Sequence, residues 1–268
     1  MKFSVSSLSF SGGKIKFMSD LPKNLGVEIF YEWGSENYWN GILPEIIEGR
    51  SGRFSIHGPM MFDDFSQPCD EDILFSHMRA PFELYHRYHG KFYVVHTNGS
   101  LSYPFNPIRE EEGRKLAIER LEKFHRLCKQ EGVNLVVENV GWNRQKRYLF
   151  HQKDYFNLFR QIPDLKCLID VGHAMLSDLS VWEMQKKLGK RITAYHIHDN
   201  DGSRDLHLPI GEGIFDWKAF VLGIQAFTPD AELVMEYEGI PQLERYVADS
   251  EGLSLIHISE PTRLLSIS

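Results

Sequence analysis

The sequence predicts a single-domain α/β protein, a (β/α)8 TIM barrel, on three observations. The chain has 268 residues, and such a barrel takes about 250. Short β-rich runs alternate with helical patterns along almost its whole length. The competing doubly wound sheet would place a glycine-rich phosphate turn after the first strand, and none is there.

The strands are read in order as KFSVSSL, GVEIFY, RFSIHGP, KFYVVHTN, VNLVVENV, LKCLIDVGH, ITAYHIHD and AELVMEYEG. Each has a compact apolar or β-branched core bounded by Gly, Pro, Asn or Asp, and near-continuous apolar strands suit a buried parallel sheet. The clearest helix is REEEGRKLAIERLEKFHRLCKQEG. Its Ala117, Leu121, Phe124 and Cys128 share one face at spacings of four, three and four. Acidic residues open it and a glycine follows it, as the helix dipole and C-cap favour. HQKDYFNLFRQIP, LSVWEMQKKLGK and FDWKAFVLGIQAF fill the later gaps, PQLERYVADSEG breaks off early, and the helix after the first strand is weakly written. No linker, repeat or low-complexity block divides the barrel, which is placed over residues 1–252. Residues 253–268, LSLIHISEPTRLLSIS, depart from the preceding pattern and resemble a translated sequencing-library adapter. They are expected to be a non-native tail on a truncated last helix, so His257 receives no role.

Net charge is −7 and the pI about 5.9, which excludes a general basic surface for nucleic acid or an anionic membrane. The three cysteines, Cys69, Cys128 and Cys167, are far apart and form no CxxC. Neither a disulfide framework nor a thiolate zinc site is expected, and a reducing cytoplasm is. The N-terminus lacks the apolar core of a signal peptide, and no apolar run of about 18 residues spans a membrane.

Metal-capable side chains recur at the strand ends. His57 ends FSIH, His96 ends FYVVH, Glu138 ends NLVVE, Asp170 ends CLID with His173 three residues on, His196 ends ITAYH, and Glu236 ends ELVME. In a parallel barrel these ends face one mouth, where imidazoles and carboxylates converge as divalent-cation ligands. Asp205 and His207 follow in the loop YHIHDNDGSRDLHLPIGEG, spaced to turn toward one ion, with His173 able to complete the set. His198 shares a strand face with His196, as a supporting or a packed residue. Trp33 and Trp142 sit where they could stack on a sugar. Glu28 could reach the mouth and is given no role. His77, His86, His89 and His125 are placed in helices and His151 at a helix start.

The motifs VVENVG, LIDVGHA, HIHDNDGSRDLHLPIGEG and LVMEYEG together resemble the xylose isomerase-like barrel superfamily, from the first strand to about Gly252. That superfamily includes sugar phosphate isomerases and epimerases and the endonuclease IV enzymes. The resemblance implies principal metal ligands at Glu138, Asp170, His196 and Glu236. It implies further ligands, matching the trinuclear zinc cluster of endonuclease IV, at His57, His96, His173, Asp205 and His207. The Asp-x-His pair stands the same distance before GEG as in those enzymes.

The expected function is a metal-dependent sugar or sugar phosphate isomerase or epimerase, working by proton transfer through a metal-stabilised enediolate. One to three Zn, Mn or Mg ions serve it. Glu138 and Glu236 act as base and acid, His173 and Arg204 hold hydroxyls or a phosphate, and Trp142 covers the sugar. The alternative is an endonuclease IV-like zinc phosphodiesterase in which Glu138 bridges two ions. Against it, GWNRQKR at 141–147 is the only modest basic and aromatic cluster near the mouth. Nucleic acid is a partner only under that alternative, no membrane is a partner, and oligomerisation is open. A barrel that binds without catalysis is a third class, whose signature would be a lost ligand, and no ligand is lost.

Overall fold

A computed structural model describes residues 1–10, 13–50, 53–61, 63–99, 107–141, 148–239 and 242–259. Eight parallel strands form one closed barrel in chain order. They are β1 (Lys2–Ser6), β2 (Gly26–Phe30), β3 (Phe54–His57), β4 (Tyr93–His96), β5 (Leu135–Glu138), β6 (Lys166–Asp170), β7 (Ile192–Ile197) and β8 (Glu232–Met235). All eight coincide with the strands read from the sequence. β1 pairs with both β2 and β8, so the sheet has no free edge.

The outer ring holds α1 (Glu36–Ile47), α2 (Glu71–Arg79), α3 (Phe82–Arg87), α4 (Pro107–Gln130), α5 (Gln152–Gln161), α6 (Val171–Met175), α7 (Val181–Leu188), α8 (Trp217–Phe227) and α9 (Leu243–Ser259). Side-chain caps start several of them. Asp70 accepts from the main-chain N–H of Asp72 and Ile73 at the head of α2, Ser180 from Glu183 at α7, and Asp216 from Ala219 at α8. The α4 stripe of Ala117, Leu121, Phe124 and Cys128 is fully buried, as its periodicity predicts. His89, expected in a helix, lies instead in the turn after α3 with φ 55°, because the chain reverses there to enter β4. α9 continues through Gly252 to Ser259 and buries Leu253.

No α-helix links β1 to β2 among the described residues. Two 3-10 turns, Ser7–Phe10 and Ile15–Asp20, stand in its place, in a stretch whose Ser and Gly residues favour turns. The Arg50 guanidinium, buried at the end of α1, secures them. It donates to the carbonyls of Met18, Leu21, Pro22, Leu25 and Ile46.

The core divides as a barrel demands. Phe92, Val94, Val136, Leu168, Ala194 and Val234 fill the interior as one cluster, and a larger cluster lies between sheet and helices. Above the interior layer the inward residues turn polar. Register levels them: His57 pairs with Phe30, His96 with Glu138, and Asp170 with His196. Among the described residues no helix is long and apolar enough to cross a membrane.

Candidate metal centre

The strand ends deliver the expected side chains to one place. His57, His96, Glu138, Asp170, His196 and Glu236 all lie buried at the C-terminal rim of the barrel. Their contacts form overlapping groups. In the first, His57 Nε2 and His96 Nε2 stand 3.3 and 3.5 Å from Glu138 Oε2 and 3.2 Å from each other. In the second, His196 Nδ1 lies 3.3 Å from Glu138 Oε2, 3.5 Å from Glu236 Oε2 and 3.8 Å from Asp170 Oδ2. In the third, nearer solvent, His173 Nε2 and His207 Nε2 approach Asp205 Oδ2 at 3.2 and 3.1 Å. His173 also links the groups, its Nδ1 lying 3.2 Å from Glu138 Oε1.

Local sequence explains this placement. Asp170 ends β6 and caps α6, accepting the His173 N–H at 2.7 Å, so the short Asp-Val-Gly-His turn aims both side chains inward. Asn139 clamps β5 to β6 by donating to the Asp170 carbonyl and accepting its N–H. Gly172 is required by its neighbour, since a Cβ there would lie 2.0 Å from His198 Cε1.

The loop carrying Asp205 and His207 is organised by Asp199, which is fully buried. Its carboxylate accepts the N–H groups of Asn200, Gly211 and Phe215 and the Trp217 indole N–H. Gly213 lets the chain close over that carboxylate, because a Cβ would sit 2.2 Å from Asp199 Oδ1. His207 holds a left-handed backbone, φ 45°, unusual outside glycine.

The donor set fits a bound cation. The His57 Nδ1–H donates to the Gly58 carbonyl, that of His173 to the Asn139 carbonyl and that of His207 to the Glu236 carbonyl. Each leaves its other ring nitrogen to face a carboxylate, as metal-ligating histidines do. Glu138 Oε2 and His196 Nδ1 are buried and make no hydrogen bond, and buried polar atoms without partners are rare. Groups of three donors whose ligand atoms lie within 4.8 Å of one another include His57–His96–Glu138, Glu138–Asp170–His196 and His198–Asp205–His207. These groups, the first two buried throughout and the third reaching the surface at Asp205, could hold a metal.

Mutual charge sets the titration. Burial would raise the Glu138 pKa, but the charges of His196 and His96 and the close approach of His173 hold it well below the carboxylate range. Burial likewise opposes the Asp170 charge and is outweighed by His173 and His198. Burial would lower His173, His196 and His207, yet the surrounding carboxylates win. His173 and His196 rise well above the ordinary imidazole value and His207 rises to about 9. In His96 burial prevails and the value falls.

The remaining candidates separate. Arg204 is exposed on the loop beside Asp201. Trp142, with the rest of 142–147, lies outside the described residues. Trp33 is 61% exposed and lies tilted against His77, which pairs with Asp63. Two residues given no firm role belong to the constellation. Glu28 Oε1 lies 2.7 Å from His196 Nε2. His198 Nε2 lies 3.2 Å from both Asp170 oxygens, with its ring stacked on His207. Strand alternation was the available signal for both, since Glu28 and His198 fall on inward positions.

A family model described as xylose isomerase-like TIM barrel matches residues 53–254. An uncharacterised protein of Methanocaldococcus jannaschii, MJ1614, is 25% identical over 134 residues, 50% of this chain and 51% of that protein. An uncharacterised protein of Sinorhizobium fredii, y4fM, is 30% identical over 122 residues, 45% of this chain and 37% of that protein. The chain thus spans about half of the first relative and little more than a third of the second. Among solved structures, a D-tagatose 3-epimerase-like protein superposes with TM-score 0.79 at 21% identity, covering 96% of this chain and 97% of that one. The TTHB071 protein of Thermus thermophilus, soaked with zinc chloride, gives 0.73 at 18%, covering 98% and 100%. The IOLI protein with a bound zinc atom gives 0.71 at 14%, covering 98% and 100%. At such identities the likeness is one of fold. With the family model spanning most of the barrel, the chain belongs to the xylose isomerase-like TIM-barrel family.

Proposed function

We propose that this chain is a divalent-metal-dependent isomerase or epimerase acting on a small sugar or sugar phosphate. The observation that carries this reading is the meeting of Glu138, Asp170 and Glu236 around His196 Nδ1, from four different strand ends. Glu138, Asp170, His196 and Glu236 would hold a divalent cation there, and it would supply Lewis-acid stabilisation to neighbouring oxygens of a keto sugar. The protein does the rest. Glu138 and Glu236 stand on β5 and just beyond β8, so their Oε2 atoms reach a substrate from separate sides and move the proton as base and acid. Ser6 Oγ donates to Glu236 Oε1 at 3.2 Å and steadies that carboxylate. His173 and Arg204 hold hydroxyls or a phosphate, and Trp142 covers the ring. The fold shared with a D-tagatose 3-epimerase-like protein supports this substrate class.

The test is exchange of substrate carbon-bound hydrogen in deuterated water, on a panel of ketoses and ketose phosphates with Zn, Mn or Mg supplied. Exchange and epimer formation that vanish in Glu138→Gln support the reading. A fully active Glu138→Gln contradicts it.

A second reading, phosphodiester hydrolysis at a trinuclear centre, is favoured by one observation. The donors His57, His96, His173, Asp205 and His207, beyond those a single ion needs, fall into two further groups flanking Glu138 and Asp170. Three zinc per chain together with cleavage of abasic-site DNA would select it.

A further inference from the structure

We infer that Glu28 is a positioning residue for the metal centre: it accepts the Nε2–H of His196 and so fixes which imidazole nitrogen faces the mouth carboxylates. This rests on the metal-centre reading above.

Glu28 sits one inward position deeper than the end of β2. Its carboxylate and the His196 ring are both fully buried, with Oε1 2.7 Å from Nε2. Ser55, its register partner on β3, donates through Oγ to Glu28 Oε2 at 2.9 Å. Those two groups are its hydrogen-bond partners among the described residues. One oxygen is pinned by a hydroxyl and the other is aimed at the ring.

A neutral imidazole has one N–H and one lone pair. With the hydrogen on Nε2, the lone pair lies on Nδ1. That is the atom facing Glu138, Asp170 and Glu236, and it makes no hydrogen bond. Glu28 and an ion bound at Nδ1 thus engage different nitrogens of the ring, although the Glu28, His196 and Glu236 ligand atoms also lie within 4.8 Å of one another.

His57, His173 and His207 are oriented by main-chain carbonyls. His196 is oriented by a carboxylate. An anionic acceptor also makes the opposite nitrogen a better electron donor to a cation. A carboxylate at the barrel axis is costly unless paired, and the pairing found here serves the donor at the centre of the constellation.

The experiment is zinc affinity by chelator competition for the wild type, Glu28→Gln and Glu28→Ala. It is joined by long-range proton–nitrogen NMR of the zinc-loaded wild type and by melting of each metal-free protein. Glu28→Gln keeps an acceptor without the charge and should bind zinc about tenfold more weakly, and Glu28→Ala about a hundredfold. The NMR should show His196 protonated at Nε2. Wild-type affinity in Glu28→Gln, or Nδ1 protonation in the zinc-loaded wild type, would overturn the role of Glu28 while leaving the metal centre standing. A wild type that folds yet takes up no zinc would overturn both. Should Glu28→Ala fail to fold, Glu28→Gln alone decides.

Discussion

Glu138 stands at the centre of the site, meeting His57, His96, His173 and His196. Its replacement by Gln keeps the shape and removes the charge. Turnover should fall roughly 10²–10⁴-fold, the usual worth of a proton-transfer group, as read by steady-state kinetics. The histidines make a pH prediction with a definite sign. In the metal-free protein His207 is raised from 6.5 to about 9, with His173 and His196 raised in the same direction. A raised value means stability fully present below pH 6.5 and lost as pH rises through about 9. Melting temperature of the chelated protein should therefore decline across that window. Zinc affinity should climb across it, because protons leave as metal binds. Flat profiles in both measurements would contradict the assigned interactions. The position of a residue at the rim was legible in the sequence where it ends a strand, as with His57, His96 and Glu138. Glu28 was left without a role because that residue lies deeper, where an inward acid on a buried strand gives no sign of its partner. Asp199 was passed over because its value comes from main-chain N–H groups up to sixteen residues away, which no local pattern records.

Two irregular segments hang on single buried side chains. The loop from Asp199 to Trp217 hangs on the Asp199 carboxylate. Asp199→Ala leaves several buried N–H groups without an acceptor and should cost about 2–4 kcal/mol, measured by urea unfolding. It should also release any ion held by His173, Asp205 and His207 before those held deeper. The paired turns after β1 depend on Arg50. Lys has a single ammonium and lacks the guanidinium fork, so Arg50→Lys should lower stability by about 1–3 kcal/mol in the same experiment. Strands and helices were legible because their apolar periods are local. The lack of an α-helix between β1 and β2 among the described residues was foreshadowed by the weak pattern there, but the role of Arg50 was not, since its carbonyl partners lie mainly in the turns and loop preceding β2. The proposal that the native chain diverges after Gly252 concerns the gene, and sequencing beyond that codon tests it. Extension of α9 to Ser259 reflects residues that accept a helix whatever their origin.

At the scale of the molecule, a closed parallel barrel brings residues from 57 to 236 onto one rim. The apolar interior layer below them keeps water from beneath the cluster, which strengthens every charge interaction above it. The barrel and its rim were legible because alternation and strand-end placement repeat along the chain. The division of the donors into groups was not, since it depends on side-chain reach across the mouth. The most direct test is elemental analysis of folded protein purified without chelator and saturated with zinc. At least one tightly held ion per chain is predicted, sharply reduced in His196→Ala. A folded wild type that holds no divalent metal under those conditions would contradict the metal centre and the chemistry built on it.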